Sequence, residues 1–164
     1  MTITYEYEDA LYVNLTNRCN CNCEFCLRHG KAQGSIYTED SLWLVDQLKA
    51  RFGDKLPPVR INTNGHANLI LGRDVCPELK GRIDTVSISL NAITAQEYVA
   101  LCHPVQGEAA YQAMLDFARE CKQYVPHVIL TIVDKDKSPE EIQTCKDIAQ
   151  KLGVTLRIRS FIDS

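Results

Sequence analysis

The sequence predicts an α/β protein, a curved parallel sheet forming a partial (βα) TIM-like barrel of about five strands, in a single domain over residues 1–164. Three observations predict it. Strand-like and helix-like segments alternate along the chain, which calls for parallel strands joined by right-handed crossovers. The strands alternate apolar and polar residues, unlike the continuous apolar runs of a sheet buried on both faces. A cysteine-rich loop follows the first strand, at the carboxyl end of the sheet, where such folds build their sites.

Taken in order, Leu11 to Thr16 alternates as a strand, and the cysteine loop runs from Asn17 to about Gly34. A helical stretch from Glu39 to Phe52 stops at Gly53 and the Pro57-Pro58 pair. Val59 to Asn64 is a strand halted by Gly65, and a short helix is expected from Pro77 to Gly81. Thr85 to Asn91 is the clearest strand. Thr94 with Glu97 forms a capping box that opens a helix through Cys102. The next helix, Glu108 to Tyr124, places Met114, Phe117, Ala118 and Cys121 at core spacing. His127 to Asp134 is a strand. Ser138, Pro139 and Glu141 supply N-cap, N1 and N3 of a helix that stops at Gly153. Thr155 to Ile162 is the last strand.

Along these strands Asn14, Thr16, Asn62, Asn64, Ser87, Ser89, Asn91, Arg157 and Arg159 fall on one face. Polar groups buried without partners cost kilocalories each, so this face meets solvent or a polar ligand. We favour a ligand against the inner face of an incompletely closed barrel.

Composition narrows the function. The formal charge is −3, and no stripe of Lys and Arg interleaves with aromatics, so nucleic acid is not the expected partner. No apolar run is long enough to span a bilayer, and the polar, acidic start has no signal-peptide pattern, so a cytoplasmic location away from the membrane is expected. Of eight cysteines, four crowd between Cys19 and Cys26. In a reducing compartment such crowding reads as metal ligation. Cys76, Cys102, Cys121 and Cys145 read as small core residues, and His29, His66 and His103 as surface residues.

The crowded segment is Thr16 to His29, TNRCNCNCEFCLRH. Within it Cys19, Cys23 and Cys26 have an x3 and an x2 gap, which suits three corners of one small cubane cluster and leaves the fourth iron open to a substrate's amino and carboxylate groups; four-cysteine clusters leave no such position. The alternative is structural zinc on Cys19, Cys21, Cys23 and Cys26, although zinc sites usually pair ligands from two separate loops. Cys21 reads as a bystander thiol.

This motif, with Phe25 at the aromatic position, resembles the signature of the radical S-adenosylmethionine (radical SAM) superfamily. Ser41 to Leu44, Arg60 to Ile70 (RINTNGHANLI), Val86 to Ala92 (VSISLNA) and the helix ending in RECKQYVP resemble the small TatD-associated radical SAM proteins. The resemblance implies a [4Fe–4S] cluster on Cys19, Cys23 and Cys26 and S-adenosyl-L-methionine as cosubstrate, with Phe25 near the adenine. It also implies a flavodoxin or ferredoxin-type reductant, and it hints at a TatD-like hydrolase as partner. By their place at strand ends, Asn64, Ser89 and Asn91 are candidates for ribose or methionine contacts. Arg159, and less so Arg157, is a candidate for a carboxylate.

One feature of the family is absent. No Gly-Gly-Glu-Pro-like motif follows a second strand, and roughly 30–40 residues, one strand–helix unit, are missing near Leu44–Val45. The expected consequences are a gap beside the first strand and a lost cosubstrate contact. The functional expectation is therefore a radical SAM enzyme of unread substrate, with catalytic residues unassigned. The rivals are a cluster-binding but catalytically degenerate relative and a zinc-stabilised binding module.

Overall fold

The computed structural model describes residues 4–13, 19–24 and 38–161. Its strands form one six-stranded sheet in sequence order, β1 (Thr4–Tyr7), β2 (Ala10–Val13), β3 (Val59–Thr63), β4 (Thr85–Ser89), β5 (His127–Val133) and β6 (Thr155–Arg159). From β2 to β6 every pairing is parallel, as the alternation predicted. The sheet is open, the incompletely closed barrel expected from the sequence. Strand β1 was not foreseen: it adds an antiparallel edge, pairing Tyr5 with Tyr12 and Tyr7 with Ala10. Its side chains are mostly exposed, so it lacks the apolar alternation that marks a strand in sequence.

The expected gap beside the first strand is corrected. β2 pairs directly with β3, Leu11 opposite Val59 and Tyr12 opposite Arg60, and the Leu11 amide donates to the Pro58 carbonyl at 3.0 Å. An unpaired strand edge inside a domain leaves backbone groups unsatisfied, and direct pairing removes that penalty.

The helices are α1 (Thr38–Phe52), α2 (Ala67–Leu71), α3 (Ala95–Cys102), α4 (Ala109–Cys121) and α5 (Pro139–Leu152). A 3-10 turn, Cys76–Leu79, stands where a helix from Pro77 to Gly81 was expected, and the five-residue α2 was too short to predict. α5 opens as read: the Ser138 hydroxyl accepts from the Glu141 amide, the Glu141 carboxylate accepts from the Ser138 amide, and Gly153 closes the helix in the left-handed region. Such a cap is worth about 1 kcal/mol. At α3 the Thr94 hydroxyl caps the Glu97 amide, but the Glu97 carboxylate accepts from Ile93 rather than Thr94. β6 ends at Arg159, and Ile162 lies outside the described residues.

One face of the sheet is the core. Val59, Ile61, Val86, Ile88, Val128, Leu130 and Ile132 pack under Val45, Met114, Phe117 and Ala149 from the helices. Cys76, Cys102, Cys121 and Cys145 are fully buried, as predicted, and the Cys76 and Cys121 sulfurs meet at 3.5 Å.

Gly65 ties this core to the site. Its φ is +78°, and a Cβ there would lie 3.2 Å from the Met114 Cα of α4 and 3.1 Å from an Ile88 methyl. Gly65→Ala therefore combines left-handed strain with overpacking, and a loss of about 2–4 kcal/mol is expected in denaturant titration. Gly72→Ala, at φ +64° with nothing within 4 Å, should cost only the backbone strain of about 1 kcal/mol. Equal losses would show that α4 tolerates movement at Gly65.

Candidate functional site

The cysteine loop is held by groups that helix geometry leaves over. The last carbonyls of a helix have no intrahelical donor. At α3 the Leu101 and Cys102 carbonyls accept from the Glu24 and Asn22 amides at 3.2 and 2.9 Å. The Val105 amide donates to the Asn20 carbonyl at 2.9 Å. This backbone docking sets residues 19–24 across the carboxyl ends of β3 and β4.

Asn64, just past β3, reaches the same loop. Its Nδ2 donates to the Asn20 Oδ1 at 2.6 Å and lies 3.7 Å from the Cys21 sulfur and 3.9 Å from the Cys19 sulfur. Its Oδ1 accepts from the His66 amide at 3.2 Å.

His66, expected at the surface, is instead fully buried. Its Nδ1 lies 2.9 Å from the Asn20 Nδ2, 3.2 Å from the Asn20 Oδ1 and 4.0 Å from the Cys21 sulfur, and its Nε2 lies 3.1 Å from the Tyr98 hydroxyl of α3. The Asn20 amide also donates to the Gln106 Oε1 at 2.6 Å. Burial pushes the His66 pKa down to about 4, so the ring is neutral. His103 is exposed, as expected, 3.6 Å from the Glu24 carboxylate, and His29 lies outside the described residues.

The cysteines of the loop touch one another. Cys21 hydrogen-bonds Cys19, which lowers its pKa; the hydrogen bond with Cys23 and burial outweigh this and push it up to about 11. Cys23 is pushed up to about 12, first by its hydrogen bond with Cys102. Its sulfur lies 3.8 Å from the Cys102 carbonyl. Cys21 is thus central to the thiol row, not apart from it, and Cys102 closes the row from α3. Phe25 and Cys26 lie outside the described residues. Among the described residues no group of three or more His, Cys, Asp or Glu is arranged to hold a metal ion. The donor chemistry nevertheless fits the implied cluster: adjacent sulfur donors on one loop suit thiophilic iron, which binds them as thiolates.

Beside the loop, at the ends of β4 and β5, is a pocket of about 440 Å³ lined by Glu24, Asn91, Leu101, Val133 and Lys135 among others. Asn91 is 4 % exposed with φ +58°, a conformation that few residues other than Gly, Asn and Asp adopt. Its Nδ2 lies 3.8 Å from the Cys102 sulfur, and its buried Oδ1 has no hydrogen-bond partner. An orphaned acceptor on a pocket wall fits a donor on a ligand, as the cosubstrate expectation requires. Ser89 is half-buried on the face of β4 away from the helices, opposite Thr131. Arg159 ends β6, its carbonyl accepting from the Asp134 amide at 3.0 Å. Asn64 thus touches the cysteine loop directly, and Asn91 meets it only through Cys102 of α3; no described contact joins Ser89 or Arg159 to it.

Comparison with solved structures gives the fold a counterpart. The chain shares the fold of SuiB. Streptococcus suis SuiB bound to S-adenosylmethionine matches with a TM-score of 0.64 at 14% identity, over 93% of this chain and 38% of that one. SuiB bound to the precursor peptide SuiA matches with a TM-score of 0.65 at 14% identity, over 95% and 40%. The chain thus spans about 40% of SuiB. No family model matches the sequence, and no curated protein matches it.

Two signals could have exposed the buried part of the site. His66 follows Asn-Gly immediately after a strand, where a side chain turns back toward the loop. Cys102 stands at the end of a helix whose spare carbonyls invite docking. Neither names its partner in the sequence.

Proposed function

We propose that this chain is a radical SAM iron–sulfur protein, with a [4Fe–4S] cluster on Cys19, Cys23 and Cys26 and S-adenosyl-L-methionine in the adjoining pocket. The observation that carries the proposal is the docking of the cysteine loop onto the α3 carbonyls, beside the orphaned Asn91 Oδ1. Held by Cys19, Cys23 and Cys26, such a cluster would supply the electron for reductive cleavage of S-adenosylmethionine, the source of a 5′-deoxyadenosyl radical.

The chain's own residues bind and orient. Asn64 fixes the loop through Asn20, and the Asn91 Oδ1 accepts from the cosubstrate. Ser89 belongs to the ribose side, Phe25 to the adenine, and Arg159 to a carboxylate. The reductant is a flavodoxin or ferredoxin. A TatD-like hydrolase is the partner that the sequence resemblance offers. SuiB supports cosubstrate binding, since it is seen with S-adenosylmethionine.

The direct pairing of β2 with β3 favours a second reading, in which the chain binds the cluster without cleaving its cosubstrate. Anaerobic reconstitution with iron and sulfide, followed by an assay for 5′-deoxyadenosine, separates the two.

A further inference from the structure

The face of the sheet opposite the core has a charge pattern that the cluster does not explain. The pairing register assigns its residues. Tyr5, Tyr7 and Tyr12 stack together on it, and Arg60 and Asn62 continue it on β3. Thr85, Ser87 and Ser89 lie on it from β4, His127, Ile129, Thr131 and Val133 from β5, and Thr155, Arg157 and Arg159 from β6. None of these positions carries Asp or Glu, although the chain has 21 acidic residues against 18 basic ones. A chain of net charge −3 thus turns an acid-free, arginine-bearing face into its partial barrel.

Arg60 is the most constrained of these arginines. Its guanidinium carbon lies 5.5 Å from the centre of the Tyr12 ring, a cation–π stack that holds the fork in place. Its buried Nε has no hydrogen-bond partner, and among the described residues no carboxylate pairs with Arg60, Arg157 or Arg159. A buried donor without an acceptor costs free energy that a ligand recovers. Arg157 and Arg159 lie on the same face of the sheet. Arg159 is exposed as a residue, yet partial desolvation, then the charges of Arg157 and Arg60, push its pKa below the ordinary value.

Depth separates this feature from the cosubstrate pocket. Arg60 stands four residues before Asn64, so about 13 Å down the strand from the cysteine loop. Arg157 is opposite Thr131, two residues below the Val133–Arg159 pair at the strand ends. A molecule gripped there has its anionic end at the barrel floor and its body directed toward the loop.

We infer that Arg60 and Arg157 form a clamp for the anionic group, carboxylate or phosphate, of this protein's substrate. The inference rests on the radical SAM reading only for the word substrate; the anion site itself stands on the arginines. Guanidinium forks match both oxyanions in geometry.

The test is calorimetric titration of the full chain at low ionic strength with two probes, inorganic phosphate and succinate. Saturable binding of either is expected, and the stronger of the two names the anion. Arg60→Gln and Arg157→Gln should each weaken it roughly ten- to hundred-fold. Arg119→Gln, on the outer surface of α4, should leave it unchanged, and S-adenosylmethionine affinity should stay the same in all three. If Arg60→Gln does not fold, Arg157→Gln, at an exposed position, still decides. The clamp is overturned if neither probe saturates, or if Arg119→Gln weakens binding equally. It is also overturned if S-adenosylmethionine affinity falls with the probe's, since the arginines then serve the cosubstrate. Absence of 5′-deoxyadenosine with intact anion binding would remove the radical reading and leave the clamp.

Discussion

Cys23→Ala is expected to abolish iron incorporation on anaerobic reconstitution, while Cys21→Ala keeps the cluster and its absorbance. The contrast is demanding because the two sulfurs are neighbours: Cys21 hydrogen-bonds Cys23 and also lies beside Asn64 and His66. Proximity alone does not distinguish them. Spacing does: Cys19, Cys23 and Cys26 have the gaps of a three-cysteine cubane loop, and Cys21 falls inside the first gap. A zinc site would draw on Cys21 as a fourth thiolate. Equal metal loss in the two variants, by iron and zinc analysis, would remove the assignment and favour zinc.

Acid should loosen the fold through His66. Its pKa is about 4 in the folded protein against an ordinary 6.5. Between these values the unfolded chain binds a proton that the folded ring refuses, so stability rises with pH through this window and levels off above 6.5. The contribution is about 2 kcal/mol lost between pH 7 and pH 5. The ring is buried between Asn20 and Tyr98, with no carboxylate in contact among the described residues to hold the charged form. His66→Gln can keep a hydrogen bond and cannot titrate. Urea titrations at the two pH values should show the wild-type difference shrinking by about that amount in the variant. An unchanged difference would place the acid sensitivity elsewhere.

What the sequence disclosed was local. The α5 capping box, the α4 stripe of Met114, Phe117, Ala118 and Cys121, and the alternation in β4 each depend on residues a few positions apart. What it hid was set by distant partners. His66 is buried because Tyr98, 32 residues away, closes over it. Cys102 reads as a small core residue until the loop 79 residues upstream rests on its carbonyl. The β2–β3 pairing was hidden because the resemblance implied a missing strand–helix unit but not how the neighbouring strands would meet. Tyr5 and Tyr7 look like surface aromatics in sequence, and their stacking on Tyr12 depends on the hairpin register.

Reductive cleavage of S-adenosylmethionine is the reaction that tests the proposed function most directly. The protein is reconstituted anaerobically with iron and sulfide, reduced with dithionite in the presence of S-adenosylmethionine, and assayed for 5′-deoxyadenosine. The account predicts product in proportion to cluster content, and none from Cys23→Ala. A fully loaded cluster that yields no product would contradict it and leave a cluster-binding relative in which the direct β2–β3 pairing has replaced the strand that completes the cosubstrate site.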